Sequence, residues 1–285
     1  MLLSSASGIF FSNGFAQEVV DYGVGERQNF SQTSISAPAP GNYQFKAILD
    51  SPDGTVSAVN VTFSPGPSAT SPVSLNPFSA NHTYNITLGN YASAGALTTD
   101  YPNSNYTMNI TGPTNYAPVL AMANAQAYPG TVPTLTNTNW SGSNLVIDAT
   151  QSFNFTWNGF ASDSYSPTVV QQDIRLTIDP VSGSSVYDQT FASGAVDTSS
   201  ILLTAGVLTP GATYTGHLIF SDYYTLNASL ISGATGGVAY ANRTNFTITA
   251  IPEPSTTALV LGFGMLAVAL RKVRKRTAQV ATIQQ

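Results

Sequence analysis

Eight short segments of this chain alternate apolar and polar residues with a period of two, a spacing that suits strands and fits no helix. Residues 43–49, 59–63, 84–88 and 106–110 lie in the first half, and 153–157, 174–178, 214–220 and 245–248 in the second. In a strand, successive side chains point to opposite faces, so each segment offers one apolar face to a core. Clusters of Gly, Pro, Asn or Ser, the residues that turns require, bound each segment. No helical stripe of comparable strength occurs outside the two termini. Without amphipathic helices between the strands, a parallel α/β fold is disfavoured and the chain reads as all-β.

The segments also recur in order. Residues 43–63 run strand, Pro/Gly turn, strand, ending in Thr62-Phe63, and residues 174–191 repeat that layout to Thr190-Phe191. Both read as hairpins of one design. Phe78 stands six residues before Tyr84, and Leu208 six before Tyr214, each tyrosine opening a strand. Each half then closes on a Tyr-rich run, from Tyr101 and from Tyr240. Two tandem modules are expected, residues 17–113 and 114–250, parted in the Pro-containing stretch 112–118.

Leu208, Pro210 and Tyr214 have the spacing of a tyrosine corner, in which a Tyr hydroxyl bonds nearby backbone and fixes a crossover between sheets. Through these residues the second module resembles an immunoglobulin-like or fibronectin type III sandwich, with Trp157 in place as the core tryptophan. The first module keeps Phe78 and Tyr84 but has no Trp before Tyr43 and a shorter front end. The resemblance implies two β-sandwiches in tandem, followed by one C-terminal helix.

That helix belongs to the last 35 residues, 251–285. Pro252, Glu253 and Pro254 precede residues 256–270, which carry no charge, and Arg271, Lys272, Arg274, Lys275 and Arg276 follow at once. A helix of 256–270 reaches roughly 22 Å, short of the ~30 Å hydrocarbon core, but long cations can snorkel to extend a short span. A membrane span is favoured over a buried soluble helix. The basic cluster is retained on the cytoplasmic side, which puts everything before Pro252 outside. In this order the tail resembles a bacterial PEP-CTERM sorting signal. Residues 277–285 depart from that pattern, in which such proteins usually stop soon after the basic cluster. The resemblance implies export by the secretion machinery, recognition by an integral-membrane exosortase and cleavage near Pro252–Pro254. The protein would stay membrane-anchored until processed, then pass to the cell surface or an exopolysaccharide-rich matrix.

Export predicts a leader as well. Residues 1–16 are apolar in character and end in Gly14-Phe15-Ala16, small residues at the two positions a signal peptidase reads, so cleavage is expected between Ala16 and Gln17. No Lys or Arg precedes the apolar part, as would follow if the true start lay upstream. A buried first strand is the competing reading.

Composition narrows the functions. Charged residues are 8% of the chain, against roughly 25% in ordinary soluble domains, and Cys is absent, removing disulfides, thiol catalysis and cysteine metal sites. Between Gln17 and Ala250 only Arg27, Lys46, Arg175 and Arg243 face 13 carboxylates, a net of −9, which argues against a nucleic-acid partner. His82 and His217 are the only histidines, and neither has metal-ligand spacing. His217 with Asp222 and a serine is the one conceivable triad, but no G-x-S-x-G elbow places a nucleophile. Asp50-Ser51-Pro52-Asp53-Gly54 reads as a turn ahead of a calcium loop, and Asp163 and Asp173 read as loop residues. The many Asn-x-Ser/Thr sequons, at Asn60, Asn85 and Asn109 among others, follow from strands that place polar residues at every second position. No catalytic residue, metal or cofactor is expected. The leading expectation is a non-enzymatic surface protein. The alternative is a carbohydrate-binding module using Tyr101, Trp140, Tyr223, Tyr224 or Tyr240 as exposed stacking rings. A hydrolase ranks third.

Overall fold

The computed structural model describes residues 18–78, 83–122, 127–160, 171–191, 198–226 and 230–252. In chain order the strands are β1 (Asp21–Ser31), β2 (Ala39–Asp50), β3 (Ala58–Thr62), β4 (Val73–Ser74), β5 (Asn76–Phe78) and β6 (Thr83–Tyr91). Helix α1 (Ala94–Asp100) precedes β7 (Asn105–Thr111), β8 (Val119–Ala121), β9 (Trp140–Ser141), β10 (Asn144–Asp148) and β11 (Phe153–Thr156). The last five are β12 (Gln171–Pro180), β13 (Tyr187–Phe191), β14 (Ser200–Leu203), β15 (Thr213–Leu226) and β16 (Thr235–Ile251). All eight alternating segments fall on these strands, with Phe63 and Trp157 one residue past the ends of β3 and β11. The helix is the exception to the all-strand reading: Ser93 caps it by accepting the Ala96 N–H, and Leu97 anchors it in the core.

One ten-stranded sheet dominates, in the order β13-β12-β15-β16-β1-β2-β6-β5, with β10 and β9 continuing alongside β16. At ~3.3 Å per residue, β16 with 17 residues is about 56 Å long. Its first part pairs with β1, from Thr235 beside Asp21 to Asn245 beside Ser31, and its last part with β10, from Thr247 beside Asn144 to Ile251 beside Asp148, both parallel. The parallel pairing with β1 is close: a Cβ on Gly25 would lie 2.2 Å from the Ala239 carbonyl oxygen, so only glycine fits there. That glycine disguised β1, which the alternation did not mark.

Two hydrophobic cores sit against this sheet. The first holds Phe45, Leu49, Val61, Tyr106, Met108 and Tyr240 and is closed by a four-stranded sheet, β4-β3-β7-β8. The second holds Phe155, Trp157, Ile174, Leu176, Leu218, Phe220 and Ile248, with the pair β11-β14 contributing Phe155 and Leu203. The expected boundary at 112–118 does not part them. β8 lies beyond it yet pairs with β7 and buries Leu120 in the first core, and Tyr224, Ile231, Val238 and Tyr240 belong there too. The cause is the length of β15 and β16, which run through both cores, so the two cores lie against one shared sheet.

Between the cores the inner face of β16 turns polar and grips the connection 127–135. Asn242 Nδ2 donates to the Pro129 and Thr131 carbonyls at 2.8 and 3.1 Å, Thr244 donates to Pro133, and Gln32 bonds both the N–H and the carbonyl of Leu135 at 2.8 Å. Each buried amide or hydroxyl here meets main-chain groups that would otherwise be stranded.

The two expected hairpins diverge. β12 and β13 form one, with Ile174 opposite Phe191. β2 and β3 do not. Both edges of β2 are already occupied, by β1 and β6, so β3 crosses to the other sheet and pairs with β4 and β7.

Candidate functional site

The described residues end at Pro252, one residue past the last strand. β16 is held to its last residue: Ile251 lies opposite Asp148, and its carbonyl accepts the Ala149 N–H at 2.9 Å. Pro252 has no N–H to continue the ladder and is exposed. Glu253, Pro254, the span 256–270 and the cations Arg271, Lys272, Arg274, Lys275 and Arg276 lie outside the described residues, as do the leader, Ala16 and Gln17. No described helix is long and apolar enough to cross a membrane. Beside the junction, Trp140, Asn144, Asp148, Thr249 and Ile251 line an open groove on the outer face of β10 and β16. Trp140 is half-buried and donates its Nε1–H to the Asn137 carbonyl at 2.8 Å, while Asn144 donates to the Thr249 hydroxyl at 3.0 Å.

At the corner 208–214, the Tyr214 hydroxyl accepts the Thr209 N–H at 2.8 Å, with Leu208 and Tyr214 both buried. Trp157 is buried in the same core and donates to the Thr198 carbonyl at 2.9 Å. Tyr84 does something else. Its hydroxyl donates to the carbonyl of Val56, in the crossing from β2 to β3, so the matching spacing in the first half makes no corner of this kind.

The stacking rings are mostly withdrawn. Tyr101, Tyr224 and Tyr240 are buried in the first core, where Tyr101 stacks on Phe45 at 4.7 Å, while Tyr223 and Trp140 are half-buried. A buried ring cannot meet a ligand, so these five residues form no exposed row.

His217 sits on the outer face of β15. Its Nε2 is 3.1 Å from Asp179 Oδ2 and its Nδ1 2.8 Å from Asn245 Oδ1, and the Arg243 guanidinium lies 2.7 Å from the ring. Burial and then Arg243 hold its pKa well below the usual imidazole range. Ser185 donates to Asp179, so the order is Ser-Asp-His; a nucleophile needs the His between Ser and Asp to take the hydroxyl proton. Asp222, five positions along β15, faces the opposite side and is buried. His82 and Asp163 lie outside the described residues. Residues 50–54 form a turn: the Gly54 N–H bonds the Ser51 carbonyl at 3.0 Å with Gly54 at φ 67°, and Asp53 accepts from Thr55. Among the described residues no group of three His, Asp or Glu could hold a metal.

Residues 250–275 match the family described as the PEP-CTERM protein-sorting motif. The match opens on Ala250 and Ile251, the last two residues of β16, so the PEP-CTERM motif is continuous with the longest strand. A protein carrying it is exported and handled at the cell envelope. No curated protein matches the chain. Among solved structures it is similar to the FN1-FN3 domains of chicken CNTN1, at 10% identity and a TM-score of 0.25, over 82% of this chain and 66% of that one.

Proposed function

We propose that this is a non-enzymatic protein of the cell surface or extracellular matrix, delivered through its PEP-CTERM motif and released by exosortase cleavage near Pro252–Pro254. Residues 256–270 span the membrane on this reading, with Arg271, Lys272, Arg274, Lys275 and Arg276 on the cytoplasmic side, and a leader is removed between Ala16 and Gln17. The observation that supports it is the junction. β16 is bonded through Ile251 and Pro252 is exposed, so a protease can cut after the fold without unfolding a strand. The tyrosine corner at Leu208, Pro210 and Tyr214 is structural, a lock on the second core in the manner of immunoglobulin-like and fibronectin type III folds. Replacing Pro252, Glu253 and Pro254 together by Ala tests the sorting step. The protein should then remain in the membrane fraction with its tail; release equal to that of the natural sequence overturns it.

A second reading has one observation behind it, the groove beside Trp140. A half-buried indole next to Asn144 and Thr249 offers one stacking face and hydrogen-bonding groups, enough for a single sugar ring. A Trp140→Ala variant that binds neutral glycans as well as the natural protein removes this reading.

A further inference from the structure

Three loops share the end of the molecule from which the chain leaves at Pro252. β10 runs parallel to β16 and finishes opposite Ile251, so residues 149–152 turn there. β15 starts opposite Thr249, which places residues 204–212 at the same end. β12 finishes at Pro180, opposite Tyr214, which sets the hairpin tip 181–186 beside them. Hydrogen bonds tie two of the loops to the last strand and to each other: the Ala149 N–H donates to the Ile251 carbonyl at 2.9 Å, Gly211 to Ala250 at 2.7 Å and Gly206 to Ala149 at 2.9 Å. The exit and its surroundings are one connected end.

The two ends of β16 differ in chemistry. None of these three loops holds an Asp, Glu, Lys or Arg. Val181, at the hairpin tip, is 90% exposed, more than any other large apolar side chain among the described residues, and Val186 is 38% exposed. Between them stand Ser182, Gly183, Ser184 and Ser185, all small and exposed. The nearest carboxylates are held by their neighbours: Asp148 accepts from Thr150, and Asp179 from Ser185. At the opposite end Asp21 lies across from Asp50, with Glu18 and Asp53 within three residues of them in sequence. A single exposed valine is ordinary on a protein surface. What gives this one a role is where the chain goes next.

From Pro252 the uncharged stretch that starts at Thr256 is four residues away, a reach of about 14 Å at full extension. With 256–270 in a bilayer, this end of the body can stand no farther than that from the start of the span. So short a tether keeps the loops at high effective concentration over the lipid, where even a weak contact is populated. The bilayer interface accepts small apolar and neutral polar groups, while desolvating a charge there is costly. The loop end meets those terms and the acidic end does not. We propose that the body stands on the outer face of the membrane through these loops, with Val181 and Val186 at the level of the lipid headgroups. Seated this way, Pro252–Pro254 lies at the interface, within reach of an integral-membrane protease. The proposal rests on the reading of 256–270 as a membrane span.

The chain has no Cys, so introduced thiols can be labelled one position at a time. Full-length protein carrying a fluorophore at Val181→Cys, Thr55→Cys or Gly264→Cys is reconstituted in phosphatidylethanolamine–phosphatidylglycerol vesicles that contain nitroxide lipid. Position 264 reports the span, and nitroxides on the acyl chains should quench its label. Headgroup nitroxides should quench the label at 181 several-fold more strongly than the label at 55, which sits in the turn at the far end. Charging the tip with Ser182→Asp and Ser184→Asp should bring 181 down to the level of 55. Quenching at 264, with 181 no different from 55, overturns the seated body and leaves the span standing. Quenching at 181 that the added carboxylates leave unchanged comes from the tether alone and overturns the contact. An unquenched label at 264 removes the span, and this proposal with it.

Discussion

The two cores share a sheet but are closed differently. The first is capped by a four-stranded sheet and a cluster of rings, Phe45, Phe63, Tyr101 and Tyr106, with centroids 4.7–6.1 Å apart. The second has, among the described residues, the β11-β14 pair opposite the sheet and leans on Trp157 and on the Tyr214 hydroxyl at its corner. The first core is secured by packed rings, where loss of volume is the vulnerability; the second is secured by main-chain hydrogen bonds at two aromatic tips, where loss of a single polar atom matters. Because β15 and β16 traverse both, neither core can be lost without exposing strands of the other.

Core truncation probes that coupling with the largest effect. Phe45→Ala and Phe220→Ala, one in each core, should each destabilise by about 3–5 kcal/mol, and urea unfolding should show both lowering one common transition. Two separate transitions, each responding to its own substitution, would break the shared-sheet account. Next in size is an effect of pH confined to the first core. Glu26 is buried there with Tyr128 donating to it at 2.9 Å, and burial pushes its carboxyl up to about 7. The folded state then holds this proton more tightly than the unfolded chain, so the contribution is complete below about pH 4.5 and is lost as pH rises through about 7. Between those limits stability should fall by something on the order of 1–3 kcal/mol, and Glu26→Gln should flatten that slope in a pH series of urea midpoints, leaving the part at lower pH that comes from Asp21, which burial raises to about 6.

The two tyrosines separate the cores more finely. Tyr214→Phe strands the Thr209 N–H and should cost about 1–2 kcal/mol, whereas Tyr84→Phe removes one donor from a carbonyl with a second lone pair and should cost about 1 kcal/mol or less. Equal losses would mean that the corner is no special lock. The smallest effect is expected at the β12-β13 hairpin, which the first half lacks. Arg175 and Asp188 are each nearly half exposed, so Arg175→Ala should cost under about 1 kcal/mol, a difference that high salt erases.

The strands were legible because alternation with a period of two survives any partner. Which strand pairs with which was not, since it depends on which edges other strands take: residues 43–63 and 174–191 have the same layout, yet β1 and β6 occupy both edges of β2, whereas β15 occupies only one edge of β12 and leaves the other to β13. β1 and the start of β16 were hidden by Gly23, Gly25, Gly236 and Gly237, which resemble turns in sequence but serve close packing of parallel strands. α1 is too short for a helical stripe; Ser93 before Ala94 was its one readable sign. The sorting motif, by contrast, is a contiguous string and needed no fold to be read.

The central proposal is that the tail beyond Pro252 is a removable handle on a body whose last described strand, β16, is bonded through Ile251. Mass spectrometry of the protein recovered from the surface of cells with and without exosortase tests it most directly. The account predicts a C-terminus at or just beyond Pro252–Pro254 when exosortase is present, and an intact tail to Gln285 retained in membranes when it is absent. An intact tail with equal surface display in both strains would contradict it.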